Sequence, residues 1–357
     1  MHLSKVKIMK FPNQLLNNRL QRFFFEIIMF SKIIRKTKLN IISILFFFSL
    51  FASLFTACVQ TPQDILRVGF SVWPGYESLF LSRDLGYYNK NSIKLIDYPS
   101  NSEIIRAFRN GDLDVATLTI YEALLLSETD PTVRIALILD SSSGADVILA
   151  KPEIKTIETL KNLRVGVESG ALGAFVLTRA LEKTDLTSND IKVVSLGVSE
   201  HEEAFYNGMV DAIVTYEPTR SKLLLSGANL LFDSKEIPGE IIDVLVVRGE
   251  SITKDSRNIQ LLINGYFRAL NYLQTNPQNA AQRISPREGL TSSLFLKSLE
   301  GIHIPSLQEN KDLLGKLDTS SIEKIKRVSH FMQKHKLLRS TIDPSSLFND
   351  TFLKSIQ

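Results

Sequence analysis

One eight-residue segment occurs twice along the chain and indicates how the chain folds. AFRNGDLD at residues 107–114 returns as AFYNGMVD at 204–211, at an offset of 97 residues. The same offset relates LRVG at 66–69 to LRVG at 163–166. Eleven identities in 49 aligned positions share this single spacing, which indicates two copies of one structural unit.

Each copy is predicted to form strand, helix, strand, helix and strand in that order. The predicted strands are at 66–72, 92–98 and 114–119 in the first copy and at 164–167, 192–196 and 212–215 in the second. The Asn-Gly pair inside each repeated stretch is typical of a helix C-terminus, where glycine accepts a positive φ. Strands that alternate with helices predict parallel sheets with right-handed crossovers, and therefore two α/β lobes.

Segments between and after the two copies complete the lobes. Apolar, strand-like segments flank the second copy on both sides, as two crossing segments would, and they lie at 135–139, 146–151 and 243–248. We predict that residues 66–149 and 245–357 form the first lobe and that residues 150–244 form the second. The chain after about residue 254 is predicted to be mostly helical and to pack on the first lobe.

The first 58 residues have the pattern of an export signal. They hold nine Lys or Arg residues and one acid, and a basic segment precedes an uncharged, apolar run at 39–57. Cys58, the only cysteine of the chain, directly follows Thr-Ala, which resembles the lipobox at which bacterial lipoproteins are cleaved and acylated. We therefore predict a lipid-modified Cys58, a tether at 59–65, and a membrane-anchored protein outside the cytoplasm.

The leader leaves two alternatives open. The apolar run has about the length of a short membrane helix, so it could be an uncleaved anchor with a buried cysteine. Met29 opens a leader of ordinary length that ends at Ala57. Residues 1–28 are therefore either an artefact upstream of the true start or an additional stretch at the membrane surface. With a lipid on Cys58 or with an uncleaved anchor, residues 59–357 are tethered to a membrane and lie outside the cytoplasm.

The composition excludes several classes of function. Residues 59–357 hold 33 basic and 37 acidic residues, so the electrostatic basis for binding nucleic acid is missing. A single cysteine rules out a disulfide framework, a cysteine-ligated zinc site and a CxxC redox motif, and the five histidines form no HExxH. GxGxxG and P-loop sequences are also missing. We predict no catalytic residues, no metal and no cofactor.

Several short motifs in a fixed order resemble one family of transport proteins. They are VGFSVWPGYE at 68–77, LGYY at 85–88, NGDLD at 110–114, GAD at 144–146, LRVGV at 163–167 and VDAIVTYEP at 210–218. Over about residues 66–330 their order and spacing are similar to those of the substrate-binding components of ABC importers of the nitrate, sulfonate and taurine type, which include binders of thiamine pyrimidines. The resemblance implies two Rossmann-like lobes with a ligand cleft between them, the type II periplasmic binding protein fold, and a helical C-terminal extension.

For function, the resemblance implies the capture of a small solute. The lobes would close on the solute by a hinge motion, and the protein, a monomer held at the membrane by its lipid, would deliver it to an ABC permease and its ATPase. Two alternatives remain: a module that senses a ligand for a membrane receptor, and an enzyme, because fungal pyrimidine synthases resemble the same family. Such enzyme chemistry needs His and Cys in the cleft, whereas the predicted cleft turns offer no His and Cys58 belongs to the leader.

The candidate ligand contacts lie where predicted strands end, because open α/β sheets bind ligands beyond the carboxyl ends of their strands. They are Trp73, Tyr76, Ser100, Asn101, Thr119, Ser143, Asp146, Glu168, Ser169, Gly170, Tyr216, Glu217 and Asp243. Structural roles compete at several of these positions, for example helix capping at Ser100 and the fixing of a loop at Asp146. For Trp73 and Tyr76 we favour stacking on a ligand over a place in the core.

Acids outnumber basic residues near these strand exits. The acids are Glu77, Asp146, Glu168, Glu217 and Asp243, whereas the arginines of the repeated motif lie inside strands. Like charges repel strongly at short range in a closed cleft. If these acids face one cleft, a cationic or amine-bearing ligand therefore fits better than nitrate or a sulfonate.

Overall fold

The computed structural model describes residues 65–168, 172–315, 319–340 and 342–356, together with Glu26. The chain divides into two compact units, residues 1–63 and 64–357, and the elements below belong to the second. The predicted signal with Cys58, the start at Met29 and all of the predicted tether except Ile65 lie outside the described residues.

The second unit alternates strands and helices through its first half and is helical towards its end. Its strands are β1 Leu66–Phe70, β2 Ile93–Asp97, β3 Val115–Thr119, β4 Arg134–Ser142, β5 Asp146–Ala150, β6 Arg164–Val167, β7 Lys192–Ser195, β8 Ala212–Tyr216, β9 Asn229–Asp233, β10 Ile242–Val247 and β11 Ile302–His303. Its α-helices are α1 Glu77–Asp84, α2 Asn101–Arg109, α3 Ile120–Ser127, α4 Leu172–Leu181, α5 His201–Tyr206, α6 Thr219–Leu225, α7 Ser251–Lys254, α8 Ser256–Thr275, α9 Pro277–Glu288, α10 Ser292–Ser298, α11 Leu307–Gly315, α12 Thr319–Lys334 and α13 Thr351–Lys354. In the part of the chain that the structure describes, no helix combines the length and the apolar character that a membrane span requires.

The strands form two mixed sheets. The first has the order β11-β4-β10-β3-β1-β2, and the second has the order β7-β6-β8-β5-β9. Within each copy of the repeat the three strands pair in parallel, as the alternating pattern predicts. The strands β10 and β5, which enter each sheet next to its third repeat strand, run antiparallel to their neighbours. They come directly from the other lobe, without the crossover helix that parallel pairing needs.

The same ion pair occurs within each of the two copies of the repeat. Arg67 Nη2 donates to Asp114 Oδ1 at 2.6 Å, and Arg164 Nη2 donates to Asp211 Oδ1 at the same distance. In both copies the aspartate also accepts the backbone N–H of its arginine at 2.8 Å. The arginine of the first strand therefore fixes the aspartate that precedes the third strand, and the duplication in the sequence is a duplication of structure.

The chain passes between the sheets at residues 143–145 and at residues 234–241. Both crossings lie earlier in the sequence than the lobe boundaries predicted after residues 149 and 244. The reason is strand pairing: β5 pairs with β8 and β9 in the second sheet, and β10 pairs with β3 and β4 in the first. The apolar runs mark the strands, but their partners decide where each lobe begins.

The C-terminal helices pack mainly on the first lobe. Tyr266 of α8 donates its hydroxyl to the backbone oxygen of Leu139, and the Asn310 side chain of α11 bonds the backbone of Ile138 in both directions. In α12, the ring of Phe331 packs edge-on against Phe175 of α4, with centroids 5.2 Å apart. The tail thus contacts the first lobe, as the sequence predicts, but α12 also reaches the second lobe.

Candidate functional site

In each sheet, residues that lie opposite each other on neighbouring strands form a row that places polar side chains near the carboxyl ends of the parallel strands. In the first sheet Asp243 of β10 lies opposite Thr119 of β3 and Asp140 of β4. In the second sheet Asp146 of β5 lies opposite Tyr216 of β8. Thr119 and Tyr216 are the last residues of their strands, so both rows lie where open α/β sheets bind ligands.

A small cavity between the lobes collects side chains from both rows. Its walls, called the cleft residues below, are Ser71, Trp73, Tyr76, Asn101, Thr119, Asp146, Leu172, Tyr216 and Asp243. The cavity volume is about 20 Å³, which is room for about one water molecule. The two lobes are therefore closed against each other around these residues.

Trp73 connects the two lobes across the cleft. It follows β1 and precedes a 3-10 turn at Pro74–Tyr76, and its Nε1 donates to Asp140 Oδ2 at 3.0 Å. Its ring packs edge-on against Tyr216 of the second lobe, with centroids 5.8 Å apart. Gly75 makes this arrangement possible, since a Cβ there would lie 1.9 Å from Asp140 Oδ2 and 2.7 Å from Trp73 Nε1.

Below Trp73, two aspartates and a tyrosine form a buried network. The Tyr76 hydroxyl donates a hydrogen bond to Asp243 Oδ1. Asp243 and Asp140 lie opposite each other on β10 and β4 and are fully or almost fully buried. Burial raises the pKa of both carboxyl groups, and the negative charge of Asp140 raises that of Asp243 further. The pair therefore retains a proton more readily than two exposed aspartates would.

A second network fixes the polar wall formed by Ser71 after β1, Asn101 of α2 and Thr119 of β3. Glu122 Oε2 accepts from the backbone N–H of Thr119 and from Asn101 Nδ2, both at 2.8 Å. The Asn101 Oδ1 accepts from the Ser71 hydroxyl at 2.9 Å. The side chain of Thr119 in turn caps α3, which completes a capping box with Glu122. These bonds orient three cleft residues through one buried acid.

Asp146 presents an unsatisfied oxygen to the cavity. It begins β5, is 3% exposed, and its Oδ2 has no hydrogen-bond partner. Its backbone N–H donates to Ser142 Oγ at 3.2 Å, which holds the residue in place. An unpaired buried carboxyl oxygen is costly, so this atom is suited to a ligand that donates a hydrogen bond.

Burial dominates the electrostatics of the cleft. It raises the pKa of Asp140, Asp146 and Glu122 to about 7, and burial together with the charge of Asp140 raises the pKa of Asp243 well above its usual range. Burial also raises the pKa of Tyr76 and Tyr216, so both phenols stay neutral. Among the described residues that line the cavity none is basic, and no group of His, Cys, Asp and Glu in the described ranges could hold a metal ion.

The structure brings seven of the predicted ligand contacts together. They are Trp73, Tyr76, Asn101, Thr119, Asp146, Tyr216 and Asp243. The other predicted contacts that the structure describes lie outside the cavity wall: Ser100 caps α2, Ser143 is exposed, and Glu168 is buried after β6. Glu217 is occupied elsewhere, since Arg220 and Ser221 donate to both of its carboxylate oxygens. Ser169 and Gly170 lie outside the described residues.

The sequence prediction missed Ser71 and Leu172 in the wall, and Asp140 and Glu122 behind it. Glu122 could have been found, because Thr119 and Glu122 have the Thr-x-x-Glu spacing of a capping box. Asp140 directly follows the apolar run of β4, and an acid inside a buried strand indicates that its carboxyl has a partner. Leu172 begins a helix of the second lobe, and its approach to the cleft depends on how the lobes meet.

Comparisons with known proteins agree with this architecture. The model of a family described as NMT1-like matches residues 60–285, more than half of the chain. A protein of Escherichia coli (strain K12) named for binding aliphatic sulfonates is 25% identical over 192 residues, which span 53% of this chain and 60% of that protein. The predicted resemblance to binding components of this type of importer is confirmed.

Solved structures confirm the predicted fold class. The alkanesulfonate-binding protein of Xanthomonas axonopodis pv. citri, bound to MOPS, superimposes with a TM-score of 0.68 at 18% identity, covering 82% of this chain and 99% of that chain. A desulfurization enzyme superimposes with a TM-score of 0.60 at 15% identity, covering 81% of this chain and 98% of that chain. The same fold thus occurs in a binding protein and in an enzyme, so the site itself must decide between them.

Proposed function

The chain belongs to the NMT1-like family, and we propose that it is the extracytoplasmic solute-binding protein of an ABC importer. The observation that carries this proposal is the cavity walled by residues of two duplicated lobes. Closure of such lobes around a small solute buries it completely, which is how a carrier retains its cargo until delivery. The protein acts as a monomer and hands the solute to a permease and its ATPase.

An enzyme on the same fold is the second candidate, and the cleft residues argue against it. Covalent catalysis needs a nucleophile within hydrogen-bonding reach of a base. The described cleft residues include no His and no Cys, and their hydroxyls belong to Ser71, Thr119 and two neutral tyrosines. The Ser71 hydroxyl donates to an amide oxygen and not to a base. We therefore favour binding without chemistry.

The proposed solute carries a positive charge or an amine. The cavity wall contributes the carboxyl groups of Asp146 and Asp243, and a sulfonate would lie beside both of them. Trp73, Tyr76 and Tyr216 supply aromatic faces, which attract a cation as well as an apolar ring. In this respect the proposed cargo differs from the sulfonates for which similar proteins are named.

Ligand binding should be visible in the melting temperature and in the fluorescence of Trp73, the only tryptophan in the sequence. We expect at least one solute from a panel of amines, amidines, aminopyrimidines, sulfonates and nitrate to raise the melting temperature and change the emission. A solute at about 100 times its Kd stabilises the folded state by about 2.7 kcal/mol. If no solute class changes either signal, the proposed function is wrong.

The proposed anchor depends on a single residue. We expect Cys58→Ser to abolish acylation and to leave a larger, unprocessed precursor, because cleavage requires the lipid-modified thiol. Metabolic labelling with a radioactive fatty acid, together with the mass of the membrane-bound species, would measure both effects. A serine change elsewhere in the leader, Thr56→Ser, provides the control. A Cys58→Ser protein that is cleaved and released like the parent would contradict the lipid anchor.

A further inference from the structure

The charge around the cleft is unbalanced. Four buried carboxyl groups surround the cavity, those of Asp140, Asp146, Asp243 and Glu122. Two arginines of the surrounding helices are already engaged, since Arg287 pairs with Glu77 and Asp97, and Arg220 pairs with Glu217. Four unpaired negative charges cannot share so small a volume away from water, so protons or a cation must neutralise most of them.

Two details identify where the neutralising charge goes. Asp146 is 3% exposed, lines the cavity and keeps its Oδ2 without a partner. Asp243 also lines the cavity and lies opposite Asp140, a second buried acid of the same sheet. The unpartnered oxygen is a place for a ligand N–H donor, and a proton retained by two neighbouring buried acids is a charge that such a ligand can replace.

We propose that the cleft exchanges a proton for its cargo: a cationic solute settles between Asp146 and Asp243, and one of the protons that these acids and Asp140 hold in the ligand-free protein leaves to solvent. The inference rests on the proposed function and adds the charge and the proton balance of the solute. The only covalent bond that breaks is a carboxyl O–H bond, the proton passes to water or buffer, and the solute keeps its own positive charge.

The environment of the acids supports this exchange. Burial raises the pKa of Asp140 and Asp146 to about 7, and that of Asp243 still higher, so these groups hold protons near neutral pH. A bound cation favours the ionised form of a neighbouring acid and lowers its pKa again. The other titratable groups at the cleft do not oppose the exchange. Burial raises the pKa of Glu122 to about 7 as well, and Tyr76 and Tyr216 remain phenols. The other two acids near these groups are Glu168 and Glu217, and Glu217 is paired with Arg220.

Calorimetry can count the protons. Methylamine and benzylamine are titrated into the purified protein at pH 6, 7 and 8, in pairs of buffers that differ in ionisation enthalpy, with benzenesulfonate as the size-matched anion. We expect an amine to bind with release of up to about one proton at pH 6 and 7 and less at pH 8. Its affinity should rise by up to about tenfold per pH unit until the acids are ionised.

The outcomes separate this inference from the proposed function. Amine binding without proton release overturns the proton exchange. The same conclusion follows if neither amine binds at about 10 mM, the highest practical concentration. Binding of benzenesulfonate with uptake of protons also overturns it, yet leaves a solute-binding protein. If the melting screen finds no ligand of any class, the proposed function fails as well.

A measurement without ligand tests directly whether Asp140 and Asp243 retain a proton. Trp73 Nε1 donates to Asp140, so the emission of this single tryptophan should change with pH around 7 as the acid pair ionises. Asp140→Asn and Asp243→Asn should each remove or shift this transition by more than one pH unit. The control is Asp112→Asn, the same change at an exposed acid outside the cleft. If only one cleft variant folds, that variant is compared with the parent and with Asp112→Asn. A titration in a folded cleft variant that is identical to that of the parent would overturn the inference.

Discussion

Gly75→Ala is expected to weaken ligand binding by about 2–4 kcal/mol, roughly 30- to 1000-fold, although the change adds a single methyl group. The added Cβ would lie 1.9 Å from Asp140 Oδ2 and 2.7 Å from Trp73 Nε1. The hydrogen bond between these two groups would have to break, which leaves a buried carboxyl without its donor and moves the ring that contacts Tyr216. A fluorescence titration with the solute found in the melting screen would measure the loss.

The control for Gly75→Ala is Gly315→Ala, because a Cβ at Gly315 meets only ordinary contact, 3.6 Å from Asp350 Oδ2. This variant should bind like the parent. Circular dichroism and a thermal melt distinguish loss of binding from loss of folding in the Gly75 variant. If Gly75→Ala folds and binds with unchanged affinity, the Trp73–Asp140 contact is not part of the binding site.

The predictable part of the site follows from where parallel strands end. Thr119 and Tyr216 could be found in the sequence because each ends a strand of the repeat, and strand ends of this kind collect ligands. Trp73 could be found because it follows β1 in a Pro-Gly turn, the type of loop that reaches a ligand. Local pattern and the repeat were enough at these positions.

The unpredictable part depends on pairing between distant segments. Asp140 reaches the cleft because β4 pairs antiparallel with β10, which places it opposite Asp243, about 100 residues later in the chain. The same pairing moves the lobe boundaries away from the apolar runs that suggested them. Glu217 shows the converse case: its position at a strand exit predicts a ligand contact, and in the structure its carboxylate bonds to Arg220 and Ser221. A sequence indicates which residues lie at the end of a strand, whereas the fold determines which groups they contact.

The acids also set the pH dependence of the ligand-free protein. The pKa values of Asp140, Asp146 and Glu122 are raised to about 7, from an ordinary range near 4 in the unfolded chain. Below that ordinary range both states hold the protons and nothing is lost. Between about pH 4 and 7 the unfolded state has lost these protons while the folded state still holds them, so the free energy of unfolding decreases as the pH rises and levels off above the folded pKa values. A cationic solute should reverse this trend, since it stabilises the ionised acids.

Asp146→Asn is expected to weaken binding of a cationic solute by about 2–5 kcal/mol, roughly 30- to several thousand-fold. The substitution keeps the size of the side chain but removes the negative charge of a residue that lines the cavity. It also replaces one carboxylate oxygen by an amide NH₂ group, which cannot accept a hydrogen bond from the ligand. Because Asp146 Oδ2 has no partner within the described structure, its loss should cost little stability. Affinity should be measured by calorimetry at low salt and again at about 0.5 M salt, which shortens the electrostatic screening length to a few ångströms.

Glu217→Gln makes the matched comparison for Asp146→Asn, since it neutralises another fully buried acid of the second lobe. Its carboxylate is bonded to Arg220 and to Ser221, so this change should lower the melting temperature while the solute retains most of its affinity. A cation that binds Asp146→Asn as tightly as the parent, or a sulfonate that binds the parent more tightly than any amine, would contradict a cationic cargo. The two variants thus distinguish an acid that binds the ligand, Asp146, from an acid that stabilises the second lobe, Glu217.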